Sequence, residues 1–137
     1  ITGSLELVNA GHVAPYLARG GELREVPLPV DIPLGLFAST TYRRSRLPLT
    51  PGDRIVLVTD GMLDRNAVGL DLPASIKDTR SLHPREAVRA LADRVLDATQ
   101  RNLRDDATVM CLDWHGEHGR DRASRHGADP GLASRRL

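Results

Sequence analysis

In the first half of the chain, short runs of alternating apolar and polar residues are bounded by Gly and Pro, the spacing of strands rather than helices. "SLELVNAG" (4–11) puts Leu5, Leu7 and Asn9 on one face and predicts a half-buried strand. "PYLARGGELREV" (15–26) predicts a hairpin, because Gly20 and Gly21 supply the positive φ of a tight turn. The Pro-rich "VPLPVDIPLGLF" (26–37) suits a loop crossing a sheet edge, and "TYRRSRLPL" (41–49) an edge strand. After the turn "TPGD" (50–53), "RIVLVT" (54–59) is a nearly continuous apolar run, the pattern of a buried strand.

The period changes past Gly61. "LDLPASIKDTRSLH" (70–83) has room for one short helix. In "PREAVRALADRVLDATQ" (84–100), Ala87, Val88, Leu91, Ala92, Val95 and Leu96 form one stripe at helical spacing. Pro84 suits the first helical position, Glu86 favours the positive end of the helix dipole, and His83 belongs to the helix start. "ATVMCLDW" (107–114) predicts a final strand. Residues 115–137 have little apolar content and predict a disordered basic tail, so the folded part is expected at 1–114. Strands and helices in this arrangement predict an α+β fold.

Composition narrows the function classes. A formal net charge of +1 gives no electrostatic case for nucleic acid, and Lys77 is the only lysine among many arginines. Cys111 is the only cysteine, which rules out an internal disulfide and points to a reducing, cytoplasmic setting. Its apolar neighbours predict an inert thiol. No apolar run approaches the roughly 18 residues of a membrane span. The start, on Ile1 and almost at once in a strand, has no signal-peptide pattern and reads as a cut inside a domain.

The candidate chemistry is acidic. Asp60 follows the strand "RIVLVT", and Asp105-Asp106 precede the strand "ATVMCLDW". If these strands are antiparallel neighbours, the three carboxylates meet at one sheet edge. Carboxylates so clustered repel, and hard divalent cations such as Mg²⁺ or Mn²⁺ relieve that conflict through oxygen ligation. Asp-Gly after a strand and Asp-Asp before one are also ordinary turn and loop signals, so both readings stand at this point. His12 in "NAGH" is a candidate ligand or proton donor with a structural alternative, while His115, His118 and His126 fall in the tail without ligand spacing. No nucleophile elbow, Walker-type loop or dinucleotide glycine motif is present.

Four stretches taken together carry more. "LELVNAGHVAPYLAR", "IPLGL", "LTPGDRIVLVTDGMLDRN" and "RDDATVMCLDW", in this order, resemble the C-terminal half of PPM-type serine/threonine phosphatases. The nearest branch is that of stage II sporulation protein E and the bacterial regulators of stress sigma factors, and the resemblance covers about residues 3–114. It implies part of an α-β-β-α sandwich with mainly antiparallel sheet, truncated at the N-terminus. It also implies a binuclear Mn²⁺ or Mg²⁺ centre, with Asp60 and Asp105 as ligands and Asp106 holding the loop or a metal-bound water.

Gly61 would let the backbone turn beside the metals, Asn9 and His12 would stand behind the site, and Asp64 occupies a position where the family usually has Glu. The implied activity is hydrolysis of phosphoserine or phosphothreonine by a metal-bridging hydroxide. The implied substrate is a phosphorylated anti-sigma-factor antagonist, and a sensory domain is expected upstream. The family's early Gly-Asp metal motif is not among these residues, so the chain is expected to be inactive or weakly active alone. The alternative is a pseudophosphatase or regulatory binding module that does no catalysis.

Overall fold

The structure is a computed structural model that describes residues 3–63 and 69–116. In chain order its elements are β1 (Gly3–Val8), β2 (Tyr16–Arg19), β3 (Glu22–Glu25), β4 (Arg44–Leu49) and β5 (Arg54–Val58), then a 3-10 turn (Asp60–Leu63), α1 (Leu72–Asp78), α2 (Pro84–Ala98) and β6 (Val109–Asp113). Among the described residues β1 and β4 pair as a two-stranded antiparallel sheet, and the other strands form a second antiparallel sheet in the order β3-β2-β5-β6.

The strand β5 lies inside the larger sheet, and its alternation builds both cores. Val56 and Val58 face one way and join Tyr16, Ile76, Leu91 and Val95 under the helices. Ile55 faces the other way and joins Leu17, Val26, Leu47 and Leu49 between the sheets. Continuous apolar sequence is therefore required here, because both faces are covered. The layers run sheet, sheet, helices. Burial of the stripe on α2 is deepest at Ala87, Leu91 and Val95.

Local sequence explains the ends of these elements. Gly20 (φ 57°) and Gly21 (φ 91°) form the two-residue β2–β3 turn, with Arg19 opposite Glu22. Asp71 caps α1 by accepting the Ala74 N–H at 2.9 Å, and His83 Nδ1 accepts the Arg85 N–H at 3.3 Å at the start of α2. No helix among the described residues is long and apolar enough to cross a membrane.

Several expectations shift. The first strand stops at Val8 rather than running to Gly11, because the Asn9 side chain turns the chain instead of continuing the ladder. The edge strand starts at Arg44 and the last strand at Val109, each later than the pattern alone indicated. His115 is half-buried rather than solvent-exposed, and Gly116 lies against the Pro51 ring. The rest of the expected tail, with His118 and His126, lies outside the described residues.

Candidate functional site

Pairing of β5 with β6 puts Val58 opposite Val109, so the residues leaving β5 lie beside those entering β6. Thr59 fastens the two segments. Its N–H donates to the Thr108 carbonyl at 3.0 Å and its Oγ1 to the Asp106 carbonyl at 3.3 Å, while the Thr108 N–H donates back to Oγ1 at 2.8 Å. Asp60 and the Asp105-Asp106 pair, far apart in sequence, are brought to one end of the sheet by this ladder.

Gly61 shows how close the segments come. It is buried, and a Cβ added there would run into the Asp106 carbonyl group, with the carbonyl carbon at 2.8 Å and the Ala107 Cα at 3.1 Å. Gly61 is not among the positive-φ glycines, so space rather than an unusual turn conformation requires glycine here.

The three carboxylates are exposed. Asp60 Oδ1 accepts the Gly61 N–H at 3.1 Å, and Asp105 Oδ1 accepts the Asp106 N–H at 2.8 Å. Among the described residues no group of three His, Cys, Asp or Glu side chains is gathered closely enough to hold a metal ion. The topology brings the three acidic positions to one end of the sheet, and among the described residues they do not by themselves make a complete ligand cluster. Like charges without a cation between them repel, and Asp60 and Asp105 each accept the amide of the next residue.

Asn9 and His12 form a separate unit. Asn9 is buried; its Nδ2 donates to the His12 carbonyl at 2.8 Å and its Oδ1 accepts the His12 N–H at 2.7 Å. The exposed His12 ring places Nδ1 2.9 Å from the Val13 carbonyl oxygen. Among the described residues no hydrogen bond joins either side chain to Asp60, Asp105 or Asp106. Asp64 lies outside the described residues.

The donor set fits a hard divalent cation in chemistry, being exposed carboxylate oxygens on a sheet end whose close approach a Cβ would prevent. In number, the described residues supply only part of a ligand set.

A different feature escaped sequence reasoning. Arg54, 1% exposed, pairs with Asp113 through Nε at 2.7 Å and Nη2 at 3.0 Å, and donates to the carbonyls of Thr79 at 2.8 Å and Leu82 at 2.6 Å. An arginine heading an apolar run with an aspartate closing the last strand was the available signal. Nearby, burial pushes Asp53 upward, but hydrogen bonds from Arg19 and Thr50 outweigh it and hold the carboxyl below its ordinary value. Burial pushes the Cys111 thiol up, in keeping with an inert cysteine.

Comparison with solved structures shows the fold. The PP2C phosphatase domain of the cell fate determinant SpoIIE from Bacillus subtilis, solved with a fragment of its regulatory domain, superposes with a TM-score of 0.65 at 19% identity, covering 81% of this chain and 34% of that one. The RsbU and RsbW domains of a Mycobacterium tuberculosis protein give a TM-score of 0.63 at 23% identity, covering 83% and 33%. The M. tuberculosis serine/threonine phosphatase PstP/Ppp gives 0.60 at 18% identity, covering 82% and 56%. The fold is thus a portion of the PP2C phosphatase fold, and the β-β-α layers agree with the expected truncated sandwich.

The chain belongs to the stage II sporulation protein E (SpoIIE) family, whose model matches residues 1–115. No curated protein sequence matches it. The chain spans between a third and somewhat over half the length of these solved relatives.

Proposed function

We propose that this chain is the C-terminal part of a metal-dependent protein serine/threonine phosphatase, with Asp60 and Asp105 as ligands of a Mn²⁺ or Mg²⁺ pair. The observation that carries this reading is the β5–β6 ladder, which brings the segment after β5 against the one before β6 so closely that Gly61 has no room for a Cβ beside the Asp106 carbonyl. Family membership supports it independently. A bound metal pair would supply Lewis-acid stabilisation of the phosphoryl oxygens and a nucleophilic water at neutral pH. The residues of this chain hold and orient. The Gly61 and Asp106 amides each fix one carboxylate oxygen, of Asp60 and of Asp105, and both residues are exposed. Asp106 anchors the loop through its carbonyl.

The substrate proposed is phosphoserine or phosphothreonine on a regulatory protein of the anti-sigma-factor antagonist type, dephosphorylated in the cytoplasm under an upstream sensory domain. Because the described residues gather no three metal-ligating side chains, the 137 residues alone are proposed to be inactive or weakly active. The same observation favours a second reading, a docking module without catalysis.

Calorimetry and phosphate release from a phosphoserine peptide separate the readings in a chain carrying the whole domain. Mn²⁺ binding, with turnover that falls by about 100-fold or more in Asp60→Asn, is the expected result. Absence of both would leave the docking module. A robust Mn²⁺-dependent rate from the 137 residues alone, lost in Asp60→Asn, would remove the claim that the ligand set is incomplete.

A further inference from the structure

At the other end of the β3-β2-β5-β6 sheet, a cavity of ≈ 280 Å³ opens between the Gly20–Gly21 turn and the connection from α1 to α2. Arg54 lines it at the start of β5, and Asp60 lies beyond the far end of that strand, about 20 Å away at the rise of an extended chain. The cavity is therefore separate from the carboxylate site.

Arg19, Arg54, Lys77 and Arg80 all line it. Two of these cations are already committed, Arg54 to Asp113 and Arg19 to Asp53. Among the described residues, the side chains of Lys77 and Arg80 form neither a hydrogen bond nor an ion pair. Both are exposed, and the single acid in the lining is Glu22. Lys77 is the only lysine of the chain.

Arg54 also prepares the wall. By taking the Thr79 and Leu82 carbonyls, it ties up acceptors that would repel an anion and fixes the segment bearing Lys77 and Arg80. Across the cavity, a Cβ added at Gly20 or Gly21 would meet nothing within 4 Å, so that rim is free of side-chain bulk.

We propose that this cavity binds an anion, the phosphate group of a phosphomonoester. A phosphate dianion satisfies both uncommitted cations, Lys77 as a point charge and Arg80 as a planar fork, and still outweighs the repulsion of Glu22. The same chemistry is offered by a free phosphomonoester and by a phosphoserine side chain in a peptide.

The test is a ¹H–¹⁵N titration of the full chain in EDTA, so that nothing depends on the metal site. The probes are inorganic phosphate, O-phosphoserine and a short phosphoserine peptide. Saturable shifts at Gly20, Gly21 and residues 77–81 are expected, weakening with added KCl. Affinity falls by about tenfold or more in the Lys77→Ala/Arg80→Ala double variant, which changes only exposed side chains, and rises in Glu22→Gln. Tighter binding of the peptide identifies a phosphoprotein source, and equal binding of O-phosphoserine identifies a small molecule. No saturable shift, shifts confined to the Asp60 end, or an affinity indifferent to both variants would overturn the assignment.

Discussion

Replacing Gly61 with Ala adds one methyl group where the chain has no room. The new Cβ would lie 2.8 Å from the Asp106 carbonyl carbon and 3.1 Å from the Ala107 Cα, against the 3.5–4.0 Å or so that carbon atoms prefer. The obstacle is backbone, which cannot swing aside as a side-chain tip would. Either the 3-10 turn or the Asp105-Asp106 loop must move by roughly half an ångström to an ångström. Overpacking of this kind costs about 1–3 kcal/mol. For a chain of 137 residues, that corresponds to a fall in Tm on the order of 4–15 °C. The displaced loop carries Asp105, so Mn²⁺ affinity in the whole domain should fall with it. Gly21→Ala is the control, since there only the positive φ opposes a side chain; it should lose about 1 kcal/mol and leave metal affinity unchanged. Thermal unfolding and Mn²⁺ calorimetry read both effects. A Gly61→Ala chain that melts and binds Mn²⁺ as the wild type does would show that the two acidic segments do not meet.

Two further outcomes test the other end of the sheet. Asp113→Ala leaves Arg54 charged and 1% exposed, which should cost about 3–5 kcal/mol in a urea titration; a loss below about 1 kcal/mol would mean that water reaches Arg54. For Asp53, a folded-state pKa held below the unfolded one means the unfolded chain binds protons more readily. Its contribution is therefore full above the ordinary carboxylate value of 3.8 and is lost as pH falls through the lowered folded value. The urea midpoint should drop in that acid window, and Asp53→Asn should flatten this part of the profile while lowering stability at pH 7.

The buried strand and the helical stripe were legible in advance because their signals are local. The period-3.6 stripe from Ala87 to Val95 and the apolar run from Ile55 to Val58 each depend on neighbours in sequence and state which faces are covered. Asn9 defeated the same logic. Alternation assigned it to a strand face, but a side chain that can bond its own backbone prefers to close a turn, and burial alone does not distinguish the two. Arg54 defeated it more thoroughly, since a charged residue beside an apolar run ordinarily marks a strand end in solvent, and only its partner Asp113 makes burial tolerable.

The sequence by itself determined that acids would stand at the end of one strand and the start of another, that Gly61 would follow the first, and which family pattern they compose. Only the tertiary structure decided that β5 and β6 are neighbours, because hydrogen-bonded pairing between segments so distant depends on how both sheets and α2 pack. It also decided that four cations gather around a cavity at the opposite end. Charge placement across a fold is a property of the folded surface, and one-dimensional spacing carries little of it.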